Sequence, residues 1–123
     1  MKKILIVEDE PDVREFFATI FEDKGFAVQT ADSGEAAIEI TGFFKPDLIL
    51  MDINMHVMNG IEALKRITEM DPSIQVMMVT GLDAMDKIEE AHHLGADRYI
   101  VKPFNMDKLY REVHEVLFPE EAT

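Results

Sequence analysis

The sequence predicts an α/β protein built on a doubly wound, five-stranded parallel sheet in the order 2-1-3-4-5, with helices on both faces. Three observations carry this. Five short apolar runs bounded by turn residues recur along the 123 residues, and such runs read as strands buried on both faces. Between them lie longer stretches whose apolar residues return at the period of a helix with one buried stripe. The two kinds of segment alternate strictly, and right-handed crossovers between parallel strands leave the doubly wound open sheet as the simplest arrangement for one domain of this length. These are βα units rather than sequence repeats, because their side chains do not recur in register.

Lys3-Ile4-Leu5-Ile6-Val7 is the first strand and ends on Glu8-Asp9-Glu10. Pro11 suits the first turn of a helix, where its missing N–H is no loss. Val13, Phe16, Phe17, Ile20 and Phe21 form that helix's buried stripe, and Gly25 stops it. Phe26 to Thr30 is a second strand, more polar and therefore nearer an edge. Asp32 or Ser33 can cap the next helix; its inner face is Ala36, Ala37, Ile40 and Phe44, and Gly42 to Pro46 breaks it. Leu48-Ile49-Leu50-Met51 is the third strand and ends abruptly on Asp52. Asn59 with Glu62 marks a third helix carrying Ile61, Leu64, Ile67 and Thr68, which Asp71-Pro72 ends. Gln75 to Val79 is the fourth strand, stopping at Thr80-Gly81. A thinly apolar helix from about Ala84 to Leu94 follows, with Met85, Ile88, Ala91 and Leu94 inward. Asp97 to Val101 is the fifth strand, ending at Lys102-Pro103, and Asn105 caps a last helix with Met106, Leu109, Tyr110, Val113 and Leu117 on its stripe. The whole reads as a flavodoxin-like (βα)5 domain over residues 1–119 with a short acidic tail, 120–123.

Taken alone, Asp52 reads as a strand-ending carboxylate that caps a turn. What ends the other strands changes that reading. In a parallel sheet all carboxyl ends share one edge, and ligands bind there, where the strand order reverses. Glu8 and Asp9, Asp52, Thr80 and Lys102 therefore converge. Carboxylates crowded into one crevice must share protons or be neutralised by a cation. Oxygen ligands without Cys or His favour a hard ion, Mg²⁺ or Mn²⁺, whose coordination a phosphate commonly completes. A carboxylate nucleophile, a divalent cation, a lysine and a hydroxyl are together a set suited to phosphoryl transfer.

Composition bounds the function. The formal charge is −13, from 25 acidic and 12 basic residues, which argues against direct nucleic-acid binding and favours cations and basic partner surfaces. No apolar run approaches the ~18 residues of a membrane span, and the run after Met1-Lys2-Lys3 is too short for a signal peptide. The expected location is the cytoplasm, away from the membrane. With no cysteine there are no disulfides and no thiolate metal sites.

The motifs VEDE (Val7 to Glu10), LMDINMHVMNG (Leu50 to Gly60), MMVTG (Met77 to Gly81) and YIVKPF (Tyr99 to Phe104), in this order on successive strand ends, resemble the receiver domain of two-component response regulators. The resemblance covers nearly the whole chain. It implies a phosphoryl group accepted on Asp52 from a sensor histidine kinase or phosphotransfer protein. It also implies Mg²⁺ held directly by Asp9 and Asp52, through water by Glu8, and by the backbone carbonyl of Asn54. Lys102 would pair first with Asp52 and then with the phosphoryl group, while Thr80 would be drawn toward it and let Tyr99 rotate inward. The Lys102-Pro103 bond would be cis. The chain would catalyse only its own phosphorylation and dephosphorylation, signal to a downstream protein target, and exist as a monomer or a phosphorylation-dependent dimer. It would be a stand-alone receiver or part of a larger regulator.

Two alternatives remain at this point. A Mg²⁺-dependent phosphohydrolase with an aspartyl-phosphate intermediate would carry a second Asp where this chain has Asn54. A receiver-like interaction module that is not phosphorylated would normally have lost an acidic or lysine member. His56 stands where the family usually has proline, and Glu8 replaces the commoner Asp. Leu82, two residues beyond the hydroxyl, cannot activate water, so slow intrinsic dephosphorylation is expected. His92, His93 and His114 have no metal-ligand company, and Met51, Met77 and Met78 read as core filling, with a Met-rich docking surface the lesser alternative.

Overall fold

The computed structural model describes residues 1–55 and 59–121. Its strands are β1 (Lys3–Val7), β2 (Ala27–Ala31), β3 (Leu48–Asp52), β4 (Gln75–Thr80) and β5 (Arg98–Val101). Its helices are α1 (Pro11–Asp23), α2 (Gly34–Phe44), α3 (Gly60–Met70), α4 (Ile88–His93) and α5 (Met106–Leu117). The strands are all parallel, in the order β2-β1-β3-β4-β5. This is the predicted fold, with β2 at one edge and β5 at the other.

The period-two alternation of each strand decides which helices cover which face. Leu5, Val7, Ile49, Met51, Val76 and Met78 pack with Ala37, Leu64, Ile67 and Ala91, placing α2, α3 and α4 on one side. Ile4, Ile6, Leu48, Leu50, Met77 and Val79 pack with Phe17, Phe21, Leu109 and Val113, placing α1 and α5 on the other. Met51, Met77 and Met78 are fully buried, so they fill core as expected.

Local chemistry fixes the helix ends. Of the two candidate caps for α2, Ser33 does the capping, its Oγ accepting from the Ala36 N–H at 3.1 Å. Asn59 and Asn105 accept from Glu62 N–H at 2.9 Å and Lys108 N–H at 2.7 Å. Each satisfies one of the donors a helix start leaves without a partner.

Several expectations need correction. Phe16 is 53% exposed, because Phe17 and Phe21 centre the α1 stripe and Phe16 lies off its flank. α2 ends within the Gly42 to Pro46 stretch as expected, running to Phe44 and closing on Lys45 in the left-handed region, with Gly42 still inside the helix. Thr41 takes an inner position of α2, its hydroxyl donating to the Ala37 carbonyl at 2.7 Å. The helix expected from Ala84 to Leu94 begins instead as a 3-10 segment, Leu82–Lys87, and only Ile88–His93 is α-helical. Only Ala84 of that segment is buried, while Met85, expected inside, is 38% exposed. Too few apolar side chains face the sheet there to hold a full helix against it. A further 3-10 turn, Pro119–Glu121, runs from the last residue assigned to the domain into the acidic tail.

At the β5 edge Arg98 donates to Glu115 at 2.7 Å and lies 3.7 Å from Glu112. At the carboxyl edge, α3 starts hard against the end of β3. A Cβ on Gly60 would collide with the Asp52 carbonyl oxygen and stand 2.9 Å from the Ile53 Cα. Gly42, by contrast, has nothing within 4 Å of such an atom. The same substitution therefore acts in opposite directions at the two sites. Gly42→Ala stabilises by about 0.5–1 kcal/mol, the ordinary helix-propensity gain, whereas Gly60→Ala destabilises by about 1–3 kcal/mol through overpacking. Urea midpoints of the two variants check both signs.

Candidate functional site

β3 is covered on both faces, and Leu48 to Met51 are at most 2% exposed. The first polar side chain it can present is Asp52, where the strand runs out of the sheet. Asp52 is itself only 7% exposed. A carboxylate so nearly buried needs partners, and it has them. Oδ1 accepts from the Asn54 backbone N–H at 3.0 Å, and Oδ2 accepts from Lys102 Nζ at 3.1 Å.

The neighbouring strands bring the rest. β1 pairs with β3 directly, so Glu8 and Asp9 leave the sheet next to Asp52. One carboxylate oxygen from each of Glu8, Asp9 and Asp52 lies within 4.8 Å of the others. Glu8 is 4% exposed. Its Oε2 accepts from the Glu10 N–H at 3.3 Å, and its backbone carbonyl accepts from Arg14 Nη1 at 2.9 Å. Thr80 closes β4, fully buried, with Oγ1 donating to the Gly81 carbonyl at 3.0 Å. The Lys102 N–H donates to the Thr80 carbonyl at 2.7 Å, which seats Lys102 at the same edge. Lys102 Nζ also lies 3.8 Å from Glu8 Oε1. The Lys102–Pro103 peptide bond is cis.

Charge at this edge is unbalanced. Burial, together with the Asp52 charge and a hydrogen bond with Asp9, pushes the Glu8 carboxyl up from 4.5 to about 7, against the opposing pull of the Glu10 N–H and Lys102. Burial alone would lower the Lys102 pKa, but Asp52, Glu8 and Glu10 together raise it, so the ammonium stays charged. One ammonium against three carboxylates leaves a net negative crevice of oxygen donors. That donor set fits a hard divalent cation, which prefers oxygen ligands and tolerates a partly solvated site.

The structure thus brings Glu8, Asp9, Asp52, Thr80, Asn54 and Lys102 to one edge. Tyr99 stands apart on β5, 45% exposed, beside a groove lined by Met78, Ile88 and Ala91. His56 lies outside the described residues. His92 and His93 are exposed, with His93 3.9 Å from Glu89, and His114 packs on Phe118.

Three contributors escape the sequence reading. Arg14 holds the Glu8 main chain from α1. Gly60 permits the close approach of α3. Asp83 accepts from the Asn54 side-chain amide at 3.3 Å. The only sequence signal for Asp83 is its position three residues beyond Thr80.

Residues 4–114 match the family described as "Response regulator receiver domain". The chain is 35% identical to sporulation initiation phosphotransferase F of Bacillus subtilis, over 94% of each chain. It is 36% identical to the regulatory protein AtoC of Escherichia coli, over 95% of this chain but only 25% of that protein. Among solved structures, a CheY-like receiver domain protein from Methanospirillum hungatei superposes with a TM-score of 0.92 at 30% identity, covering 99% of this chain and 98% of that one. No helix among the described residues is long and apolar enough to cross a membrane.

The raised Glu8 pKa has a signed consequence for stability. Between its unfolded value of 4.5 and its folded value of about 7, the folded chain holds the extra proton. This contribution is therefore fully present below pH 4.5 and lost as pH rises through 7. Without divalent cations, Glu8→Gln is expected to be about 1–3 kcal/mol more stable than wild type at pH 8, with the gap closing toward pH 4.5. Urea unfolding in a chelator at several pH values measures it; a gap independent of pH would contradict the assignment.

Proposed function

The chain belongs to the response regulator receiver domain family, and from that premise we propose that it is a phosphorylatable switch of two-component signalling, with Asp52 as the acceptor. The observation that carries this reading is the setting of Asp52: a carboxylate 7% exposed, one oxygen held by Asn54 N–H and the other by Lys102, beside Glu8 and Asp9. The donor is a histidine kinase or a phosphotransfer protein, the latter supported by the relative named as a phosphotransferase. The recipient of the signal is a downstream protein in the cytoplasm. With a net charge of −13, the domain itself is not expected to bind nucleic acid.

Asp9 and Asp52, the backbone carbonyl of Asn54 and, through water, Glu8 are the groups that would hold Mg²⁺, or Mn²⁺ in its place. When bound, the ion supplies positive charge that offsets the carboxylates and the transferring phosphoryl oxygens. The residues of the chain do the rest. Hydrogen bonding from Asn54 N–H and Lys102 fixes the orientation of the Asp52 carboxylate, so attack needs little reorganisation. A carboxylate oxygen of Asp52 forms the new bond to phosphorus as the bond to the donor breaks and the donor leaves with its electron pair. The negative charge that Lys102 neutralised then resides on the phosphoryl group, about −1.5 to −2 in all, and the ammonium follows it. Thr80 can exchange its bond to the Gly81 carbonyl for one to a phosphoryl oxygen by rotating its side chain. The space that Thr80 vacates and the groove beside Met78 and Ile88 give the Tyr99 ring somewhere to turn. A local change of charge thereby biases an element with two arrangements. Chemistry is confined to the chain's own phosphorylation and dephosphorylation.

With acetyl phosphate and Mg²⁺ the full chain is expected to take up one phosphoryl group on Asp52, and Asp52→Asn to reduce uptake to background. Multiple turnover of small phosphoesters would instead indicate a hydrolase, and absence of label an interaction module. Leu82 is 76% exposed and lacks any group able to activate water. Leu82→Glu is expected to shorten the life of the acyl phosphate about two- to tenfold by supplying a base. Following loss of label after removal of the donor tests this, and an unchanged rate would count against it.

A further inference from the structure

Asn54 makes two hydrogen bonds in different directions. Its backbone N–H donates to Asp52 Oδ1 at 3.0 Å, and its side-chain Nδ2 donates to Asp83 Oδ2 at 3.3 Å. Asp83 lies 29 residues further along, in the 3-10 segment that follows Thr80. The bond therefore joins the loop after β3 to the segment after β4, across the two neighbouring strands in which Asp52 is opposite Val79. Gly81 leaves room for this: a Cβ there would sit 2.7 Å from Asp83 Oδ1, so the carboxylate would have to shift from the place it now takes beside Asn54. The Ala84 N–H donating to the Gly81 carbonyl at 3.1 Å fixes the start of the same turn. Asn54 and Asp83 are both exposed, at the solvent rim of a nearly buried acceptor.

We propose that Asp83 is a positioning residue that, by holding the Asn54 amide, keeps the two loops beside Asp52 together and prolongs the phosphorylated state. The proposal rests on Asp52 being the phosphoacceptor. Hydrolysis of the acyl phosphate needs a water at phosphorus, on the side away from the carboxylate oxygen that leaves. A bridge between the rim loops restricts that approach and turns the Asn54 amide away from it. Because the pair is exposed, its loss acts on the rim rather than on the core.

The test uses the full chain, phosphorylated with acetyl phosphate and Mg²⁺ and then freed of donor. Asp83→Ala is expected to shorten the acyl-phosphate lifetime about two- to tenfold, the range one exposed charge-assisted hydrogen bond can supply. Asp83→Asn keeps a carbonyl acceptor for the amide and should restore most of the lifetime. In an Asn54→Ala background, Asp83→Ala should have no further effect. The side-chain amide resonance of Asn54 should move in Asp83→Ala and return toward its wild-type position in Asp83→Asn. Gly81→Ala should shorten the lifetime in the same direction: the backbone there (φ −92°, ψ 172°) suits alanine, but the new Cβ displaces the Asp83 carboxylate. An unchanged lifetime in Asp83→Ala, equal shortening in Asp83→Asn, or additive effects in the double variant would overturn the proposal. Wild type that takes no label would overturn the phosphoacceptor reading and this one with it, whereas labelled wild type with an unmoved Asp83→Ala lifetime overturns this one alone.

Discussion

A strand inside a parallel sheet covered on both faces has nowhere to put a polar side chain except at its ends. That constraint organises this molecule. Leu48 to Met51 can be so completely buried because α1 and α5 close one face of the sheet while α2, α3 and α4 close the other. The strands must shed their carboxylates, hydroxyl and lysine where they leave the core, and parallel order gathers those exits on one edge. The site is thus less an addition to the fold than the place where its packing rule stops applying.

The same geometry loads the edge with charge that the protein alone does not balance. Burial beside Asp52 pushes the Glu8 carboxyl up to about 7, so its ionised form is disfavoured at this edge. Lys102 offsets part of the repulsion, and its position 3.1 Å from Asp52 and 3.8 Å from Glu8 makes it a shared counter-ion rather than the property of either. A pocket with this excess of carboxylates is suited to the switch proposed above, in which a cation and a phosphoryl group change the charge beside Asp52.

Much of this was legible in the residues. Four apolar residues ending on Asp52, and the matching ends at Glu8-Asp9, Thr80 and Lys102, needed only the strand period and the parallel connection to be gathered together. Sequence periodicity could not say which residue of a stripe centres it: Phe16 and Phe17 are equivalent in pattern, yet only Phe17 is buried. Nor could it separate a short α-helix from a 3-10 turn after Thr80, where one buried alanine does the anchoring. Contacts set by close approach were invisible altogether. Gly60 matters because the Asp52 carbonyl occupies the space of its missing Cβ, and Asp83 because a turn folds it back over Gly81. Such distances belong to the assembled backbone, not to any local pattern.

An open sheet also leaves two strands with one unpaired side each, and these are templates for unwanted growth of the sheet into neighbouring molecules. Here β5 is only four residues long, and Pro103, following close on its end, has no N–H to offer. Arg98, tied to Glu112 and Glu115, sets charge along that border. At the opposite border β2 is five residues long and exposes Gln29 at its middle. The contacts of Arg98 with Glu112 and Glu115 thus do more than tie β5 to α5: they place charge on a border where a further strand would otherwise find an open edge.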